Sequence, residues 1–134
     1  MIHIGQCRDI KELTSLYKEW NGKGIKQDYM LYNNVIIMAK DDGVVVGAAF
    51  LIIIDDPVWS RKWGLVENIY VKKSYRNNGV AKQLMKYLEV QAEAFGCQFI
   101  KLTSGYDKQF AHNLYEALGY KEGNSFKKAL KCIL

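Results

Sequence analysis

Apolar positions along this chain switch between a period of two and a period of three to four, and the changeovers mark its predicted elements. The opening Met1-Ile2-His3-Ile4-Gly5 reads as a strand. Asp9-Ile10-Lys11-Glu12 then sets an aspartate cap three residues before a glutamate, a helix start. Ile10, Leu13, Leu16, Tyr17 and Trp20 recur at helical spacing as one apolar face that ends near Gly22. A short aromatic helix or turn is expected over 27–32. Two β-rich runs, 35–39 and 44–54, are joined by Lys40-Asp41-Asp42-Gly43, a good hairpin connection. Asp55-Asp56-Pro57 is expected to break the second run, with a loop carrying Trp59 and Trp63 leading to a strand near 65–71.

Val80, Leu84, Leu88, Ala92 and Phe95 next mark a helix of several turns that Gly96 stops. A strand is expected over 97–103, and a helix capped by Asp107 carries Phe110, Leu114 and Leu118 and ends at Gly119. The tail 120–134, interrupted by Glu122-Gly123-Asn124-Ser125, reads as a final hairpin. This order predicts an α/β domain with a mixed sheet.

Length and composition fit a single domain over 1–134: 134 residues, 49% hydrophobic, can bury a core, and one proline and eleven glycines leave no visible linker. The longest apolar stretch, 44–54, falls short of a bilayer span, and the start lacks a basic region followed by a long apolar one. A soluble, cytoplasmic protein without a membrane partner is the expectation. Cys7, Cys97 and Cys132, widely spaced and odd in number, suit reduced thiols and match no zinc pattern, so no metal is expected. The net charge of +5 comes from scattered Lys and Arg with no basic-aromatic module, which argues against a nucleic-acid partner.

Candidate chemistry concentrates in Val66-Glu67-Asn68-Ile69-Tyr70-Val71-Lys72-Lys73-Ser74-Tyr75-Arg76-Asn77-Asn78-Gly79-Val80-Ala81, where a strand pattern passes through a basic, glycine-marked turn into an amphipathic helix. Backbone N–H groups at a helix start lack intrahelical acceptors, and with the positive end of the helix dipole they form an anion site. Gly79 permits close approach, Ala81 leaves the first turn uncluttered, Asn77 suits a left-handed position, and Arg76 offers a planar donor array. On these residues alone, an ordinary strand-to-helix loop with a surface arginine fits equally well.

The order Arg76-x-x-Gly79-x-Ala81, behind Tyr70-Val71 and before a leucine-rich helix, resembles the acyl-CoA signature of the GNAT superfamily of N-acetyltransferases. Ala111-His112-Asn113-Leu114-Tyr115-Glu116-Ala117-Leu118-Gly119-Tyr120 is similar to that superfamily's late helix. The resemblance covers the C-terminal half well and the N-terminal half only in its order of elements. It implies a GNAT-like, mostly antiparallel central sheet flanked by helices, with acetyl-CoA as cosubstrate and a primary amine, small molecule or peptide, as acceptor. Arg76 and the N–H groups of Asn77, Asn78, Gly79, Val80 and Ala81 are then expected to hold the pyrophosphate. The edge of the strand at Ile69, Tyr70 and Val71 is expected to pair with the pantetheine, and a bulge there, which sequence does not show, would supply an N–H for the thioester oxygen.

In the same resemblance Glu67 matches a glutamate that acts as general base, directly or through water, and Tyr115 a tyrosine that protonates the departing thiolate. Read without it, Glu67 is a paired strand carboxylate and Tyr115 a core residue with a polar tip. His112 is read as structural, a buttress of Tyr115 or a partner of backbone. Where many relatives carry an asparagine one turn before the alanine, this chain has Lys108, so that contact is absent or replaced, and Lys108 is a candidate for a CoA phosphate. Acceptor-side lining is expected from Asp28, Tyr29, Tyr32, Asp55, Asp56, Trp59 and Trp63. A homodimer through the apolar tail strands is compatible with the resemblance. The alternative function is a non-catalytic CoA-binding regulatory module.

Overall fold

The computed structural model describes residues 1–26, 34–103, 109–123 and 127–130. They fall into two compact units, 1–103 and 104–134. The first holds a five-stranded sheet in the order β1-β2-β3-β4-β5: Ile2–Gln6, Asn34–Asp41, Val44–Asp56, Arg61–Val71 and Ile100–Leu102. Every neighbouring pair is antiparallel except β4 and β5, which run parallel. This is the expected α/β architecture with a mostly antiparallel sheet.

The helix predicted from Asp9 begins as a 3-10 turn, Ile10–Leu13, because the Asp9 carboxylate accepts from the Lys11 N–H and tightens the entry. The α-helix α1, Thr14–Asn21, follows. Its predicted face packs on the sheet: Leu13, Leu16 and Tyr17 are buried with Cys7, Ile36, Met38, Ala48 and Tyr70. Trp20 remains half exposed at the end of that face. The buried Cys7 behaves as a small core hydrophobe, its thiol pushed up chiefly by burial.

Helix α2, Val80–Ala94, covers the opposite face of the sheet through Val80, Leu84, Met85, Leu88 and Ala92, all buried. Full burial of each leucine stabilises by about 1.5–3 kcal/mol, which fixes the helix firmly. Gly47 on β3 is what lets α2 sit so close, since a Cβ there would lie 3.2 Å from both Val80 and Leu84 side-chain carbons. Phe95, expected on this face, is exposed as the C-cap.

Three expectations are corrected. The second run does end within Asp55-Asp56-Pro57, but at Asp56 and not at 54, and β4 starts at Arg61, so Trp63 lies in a strand and not in the loop, with Asp55 opposite Lys62 and Asp56 opposite Arg61. Cross-strand ion pairs from those two aspartates, at 3.8 and 3.1 Å, suit them to a hairpin end that composition alone marks as a breaker. Strand β5 spans only Ile100–Leu102 of the expected 97–103, because the chain first closes α2 through a Cys97 N–H bond to the Ala92 carbonyl. In the tail, none of the described residues of 120–123 and 127–130 is in a strand. Met1 is outside β1, whose start its ammonium ties to Asp41 at 3.0 Å.

The second unit contains α3, Gln109–Ala117, closed by Leu118 and Gly119 N–H bonds to Leu114 and Glu116 carbonyls. The expected element at 27–32, the Asp107 cap, Lys108 and Cys132 lie outside the described residues. Among the described residues no helix is long and apolar enough to cross a membrane.

Candidate functional site

Strand β4 leads into the candidate site, and its pairing changes midway. Phe50 faces Glu67, yet Ala48 faces Tyr70, so β4 carries one residue more than β3 in that interval. The extra residue is a bulge, and Asn68 within it has φ 56°, a left-handed conformation that asparagine tolerates better than most residues. The Tyr17 hydroxyl donates to the Asn68 carbonyl at 2.6 Å, so α1 holds the bulge from one side of the sheet.

The bulge resets which backbone groups face which edge. Before it, the Gly64 N–H donates to Phe99 and the Lys62 carbonyl accepts from Gln98, so even-numbered residues face the β5 side. Beyond it the Lys72 N–H donates to Val46 on the β3 side, so strand alternation turns Ile69 and Val71 toward the opposite edge. Pairing with β5 ends at Val66 opposite Leu102. Among the described residues, no strand pairs with β4 beyond that point on this edge. Tyr17→Phe should therefore cost about 1–2 kcal/mol by leaving the Asn68 carbonyl without its donor, read as a lower urea midpoint at unchanged slope.

After β4 a 3-10 turn, Lys73–Tyr75, delivers Arg76, Asn77, Asn78 and Gly79 to the start of α2. Asn77 (φ 65°) and Gly79 (φ 76°) both take left-handed conformations, which fold the turn back on itself. Gly79 is the N-cap, no side chain caps the helix, and no acidic residue lies in its first turn. The first N–H groups of a 15-residue helix thus have no acceptor from a cap. A Cβ on Gly79 would meet no atom within 4 Å, so the cap position itself is open. That combination fits a phosphate-bearing cofactor.

Arg76 has a different posture from that of a purely outward donor. Its Nε donates to the Val71 carbonyl at 3.1 Å, and its guanidinium lies 5.2 Å from the centre of the Tyr70 ring. Tyr70 is also stacked on Trp20 at 4.9 Å and donates to Glu19 at 2.7 Å. Glu19 accepts the Lys73 N–H as well, and these two bonds, the Tyr70 one first, hold its carboxyl below the usual range. The end of α1, the end of β4 and the turn before α2 are therefore tied into one unit. Asn78 adds to this through its amide, which donates to the Arg76 carbonyl at 3.2 Å.

On the α1 face of the sheet, a cavity of about 480 Å³ is lined by Ile10, Tyr17, Trp20, Ile25, Phe50 and Asn68 among others. Glu67, half buried, stands directly across from Phe50 on the neighbouring strand, beside this cavity. The structure thus brings together Glu67, Ile69, Tyr70, Val71 and 76–81 along one strand–turn–helix unit. It does not bring Asp55, Asp56, Trp59 or Trp63 to the cavity: they occupy the β3–β4 hairpin, where Trp63 stacks on Phe99 at 5.6 Å and Trp59 is exposed. Asp28, Tyr29 and Tyr32 lie outside the described residues. The lining residues Tyr17, Trp20 and Phe50 carried only a core signal in sequence, since an apolar stripe looks the same whether it meets a core or a cavity.

Tyr115 belongs to the second unit, where its ring meets Tyr120 edge-on at 6.1 Å. It is buried, and burial raises its phenol above the ordinary value, which keeps the proton on at neutral pH. His112 lies one turn earlier on α3.

A model of the acetyltransferase (GNAT) family matches residues 7–120. Among curated proteins, the chain is 35% identical over 57 residues to an aminoglycoside N(6')-acetyltransferase type 1 from Acinetobacter genomosp. 13, covering 42% of this chain and 39% of that protein. It is 26% identical over 131 residues to N-acetyltransferase 8 of Rattus norvegicus, covering 96% of this chain and 54% of that protein. The matches to these two relatives thus take in between 39% and 54% of their lengths. Among solved structures, a putative acetyltransferase from Agrobacterium tumefaciens str. C58 superposes with TM-score 0.83 at 17% identity, covering 96% of this chain and 99% of that one. AAC(6')-Iy, solved in complex with a bisubstrate analog, CoA-S-monomethyl-acetylneamine, gives 0.81 at 24% identity over 98% and 99% of the two chains. These likenesses establish the fold.

Proposed function

The chain belongs to the acetyltransferase (GNAT) family, and from that premise we propose that it transfers the acetyl group of acetyl-CoA to a primary amine, which attacks directly in a ternary complex. The observation that carries this reading is the union of an uncapped, open helix start with a strand edge turned outward by a bulge. Acetyl-CoA, when bound, supplies the activated acetyl thioester. The N–H groups of Asn77, Asn78, Gly79, Val80 and Ala81 hold its pyrophosphate, and Arg76 braces the turn while adding positive charge. Ile69 and Val71 offer backbone groups to the pantetheine amides as to an added strand, with Tyr70 anchoring the strand between them. An N–H on this edge also serves negative charge developing on the thioester oxygen.

The acceptor enters the cavity on the α1 face. Near neutral pH an amine is mostly an ammonium ion, so a proton must leave before it can attack. Glu67, beside the cavity, takes that proton directly or through water. The proton for the departing thiolate is assigned to Tyr115, on the strength of its place in the 111–120 block and of its protonated phenol. Lys108 is assigned to a CoA phosphate on sequence grounds alone.

Incubation with acetyl-CoA and a panel of primary amines tests the proposal, with free thiol and acetylated product both measured. Product in step with thiol release is the expected result. Binding of CoA without transfer to any amine would instead make the chain a non-catalytic CoA-binding regulatory module. Tyr115→Phe should lower the single-turnover acetyl-transfer rate by about tenfold or more, roughly 1.4 kcal/mol, with little change in acetyl-CoA affinity. Equal single-turnover rates in the two proteins would return Tyr115 to a packing role.

A further inference from the structure

We infer that the preferred acceptor is a singly charged amine carried on an apolar, ring-bearing body, and not a polycation such as an aminoglycoside. This rests on the acceptor reading of the cavity given above. At about 480 Å³ the cavity falls within the roughly 300–1,000 Å³ typical of small-molecule sites. Its apolar walls are Ile10, Tyr17, Trp20, Ile25 and Phe50, the rest of its lining includes the cationic Lys26 and the amides of Asn21 and Asn68, and none of its described lining residues is acidic.

The aromatic walls are fixed in place by one another. Tyr17 meets Phe50 edge-on at 6.0 Å and Trp20 at 5.9 Å, and Trp20 is stacked in turn on Tyr70. The Tyr17 hydroxyl is already committed to the Asn68 carbonyl, so Tyr17 offers the cavity its ring. Burial drives that phenol far above its ordinary value, which keeps it neutral. A substrate ring placed here removes apolar surface from water on both sides.

Charge is matched once. Glu67, across from Phe50, is the carboxylate that the strand register sets beside the cavity, and aromatic faces add a weaker attraction for one ammonium. A second or third ammonium would lose its water against a mostly apolar lining that also carries the positive charge of Lys26, with no second described carboxylate in compensation. Polyamines and aminoglycosides carry that cost, whereas an arylalkylamine or a peptide with an aromatic first residue does not.

Calorimetric titration in the presence of desulfo-CoA, which lacks the reactive thiol, tests this without relying on turnover. The probes are phenethylamine, a dipeptide amide beginning with phenylalanine, spermidine and kanamycin. At least one ring-bearing probe should bind about tenfold or more tighter than both polycations, and the tighter of the two distinguishes a free amine from a peptide terminus. Equal affinity, a preference for a polycation, or no binding by any probe would overturn the inference. Asn21 lines the same cavity; its Oδ1 accepts from the Lys23 and Gly24 N–H groups and its Nδ2 donates to the Gly24 carbonyl at 2.9 Å, so Asn21→Asp keeps the two acceptor bonds, gives up the third and adds a charge. It should move the spermidine-to-phenethylamine affinity ratio at least about threefold toward spermidine. Phe50→Leu should weaken the preferred ring-bearing probe about fivefold, with desulfo-CoA affinity unchanged. An unmoved ratio in Asn21→Asp, together with an unmoved affinity in Phe50→Leu, would place amine binding elsewhere. Desulfo-CoA affinity in the same titrations reports on the cofactor reading alone, so its absence sinks that reading, and a polycation preference with desulfo-CoA bound sinks only this inference.

Discussion

Glu67→Gln is expected to slow acetyl transfer by about 10² to 10⁴ at neutral pH while leaving the fold and CoA binding nearly intact. The change is isosteric and removes only the capacity to accept a proton. Glu67 is half buried on β4, opposite Phe50 and immediately before the bulge, so the amide fills the same space. An alkylamine acceptor has a pKa near that of lysine, about 10.4, and a peptide α-amine one of about 8, so in either case the free amine is the minor form at neutral pH. With the base removed, the rate depends on that fraction, which rises about tenfold per pH unit up to the amine pKa. The variant should therefore recover part of its loss as pH increases, and a pH–rate profile under single-turnover conditions reads both effects. A loss below about threefold across the range would assign Glu67 to structure.

How much of this was legible beforehand differs between elements for physical reasons. Helix α2 and its cradle were readable because each signal is local: apolar residues at helical spacing, a glycine at the cap and an arginine three residues earlier all act through neighbouring backbone. The bulge at Asn68 was not readable, since it exists only as a mismatch between β3 and β4. A single strand carries no record of how its partner counts. The Asp55-Asp56-Pro57 stretch located the break, but the two further strand residues before Pro57 were missed for the same reason. Its residues disfavour strand locally, but the pairs with Lys62 and Arg61 across the hairpin outweigh that preference. The cavity was legible only as a core stripe, because Tyr17, Trp20 and Phe50 turn from filler to wall through their placement beside the bulge residue Asn68 and residues 24–26.

Arg76 shows the limit of reading a motif by its chemistry. Its guanidinium suits a phosphate, yet its Nε is engaged by the Val71 carbonyl and its plane lies near the Tyr70 ring. It couples the open strand edge to the turn, so the two halves of the proposed cofactor site hold their relative geometry. Gly47 contributes from beneath, since any side chain there would push Val80 and Leu84, and with them the helix start, away from β3.

Gly79→Glu should abolish CoA binding altogether, and its titration is the most direct test of the cradle. Gly79 is the N-cap, with φ 76° and open space where a Cβ would project, so a glutamate there meets no clash and brings a negative charge to the uncapped helix start. The left-handed conformation costs a non-glycine residue about 1–2 kcal/mol, which the unliganded protein must absorb. Gly79→Asn shares much of that backbone cost without the charge, since asparagine tolerates this region, and serves as the control. With CoA at 100 times its dissociation constant, the wild type should gain about 2.7 kcal/mol, roughly 10 °C in Tm. Thermal melts of the three proteins with and without CoA should show that full shift in the wild type, a reduced shift in Gly79→Asn and none in Gly79→Glu. An undiminished CoA shift in a folded Gly79→Glu protein would contradict the cradle and the account built on it.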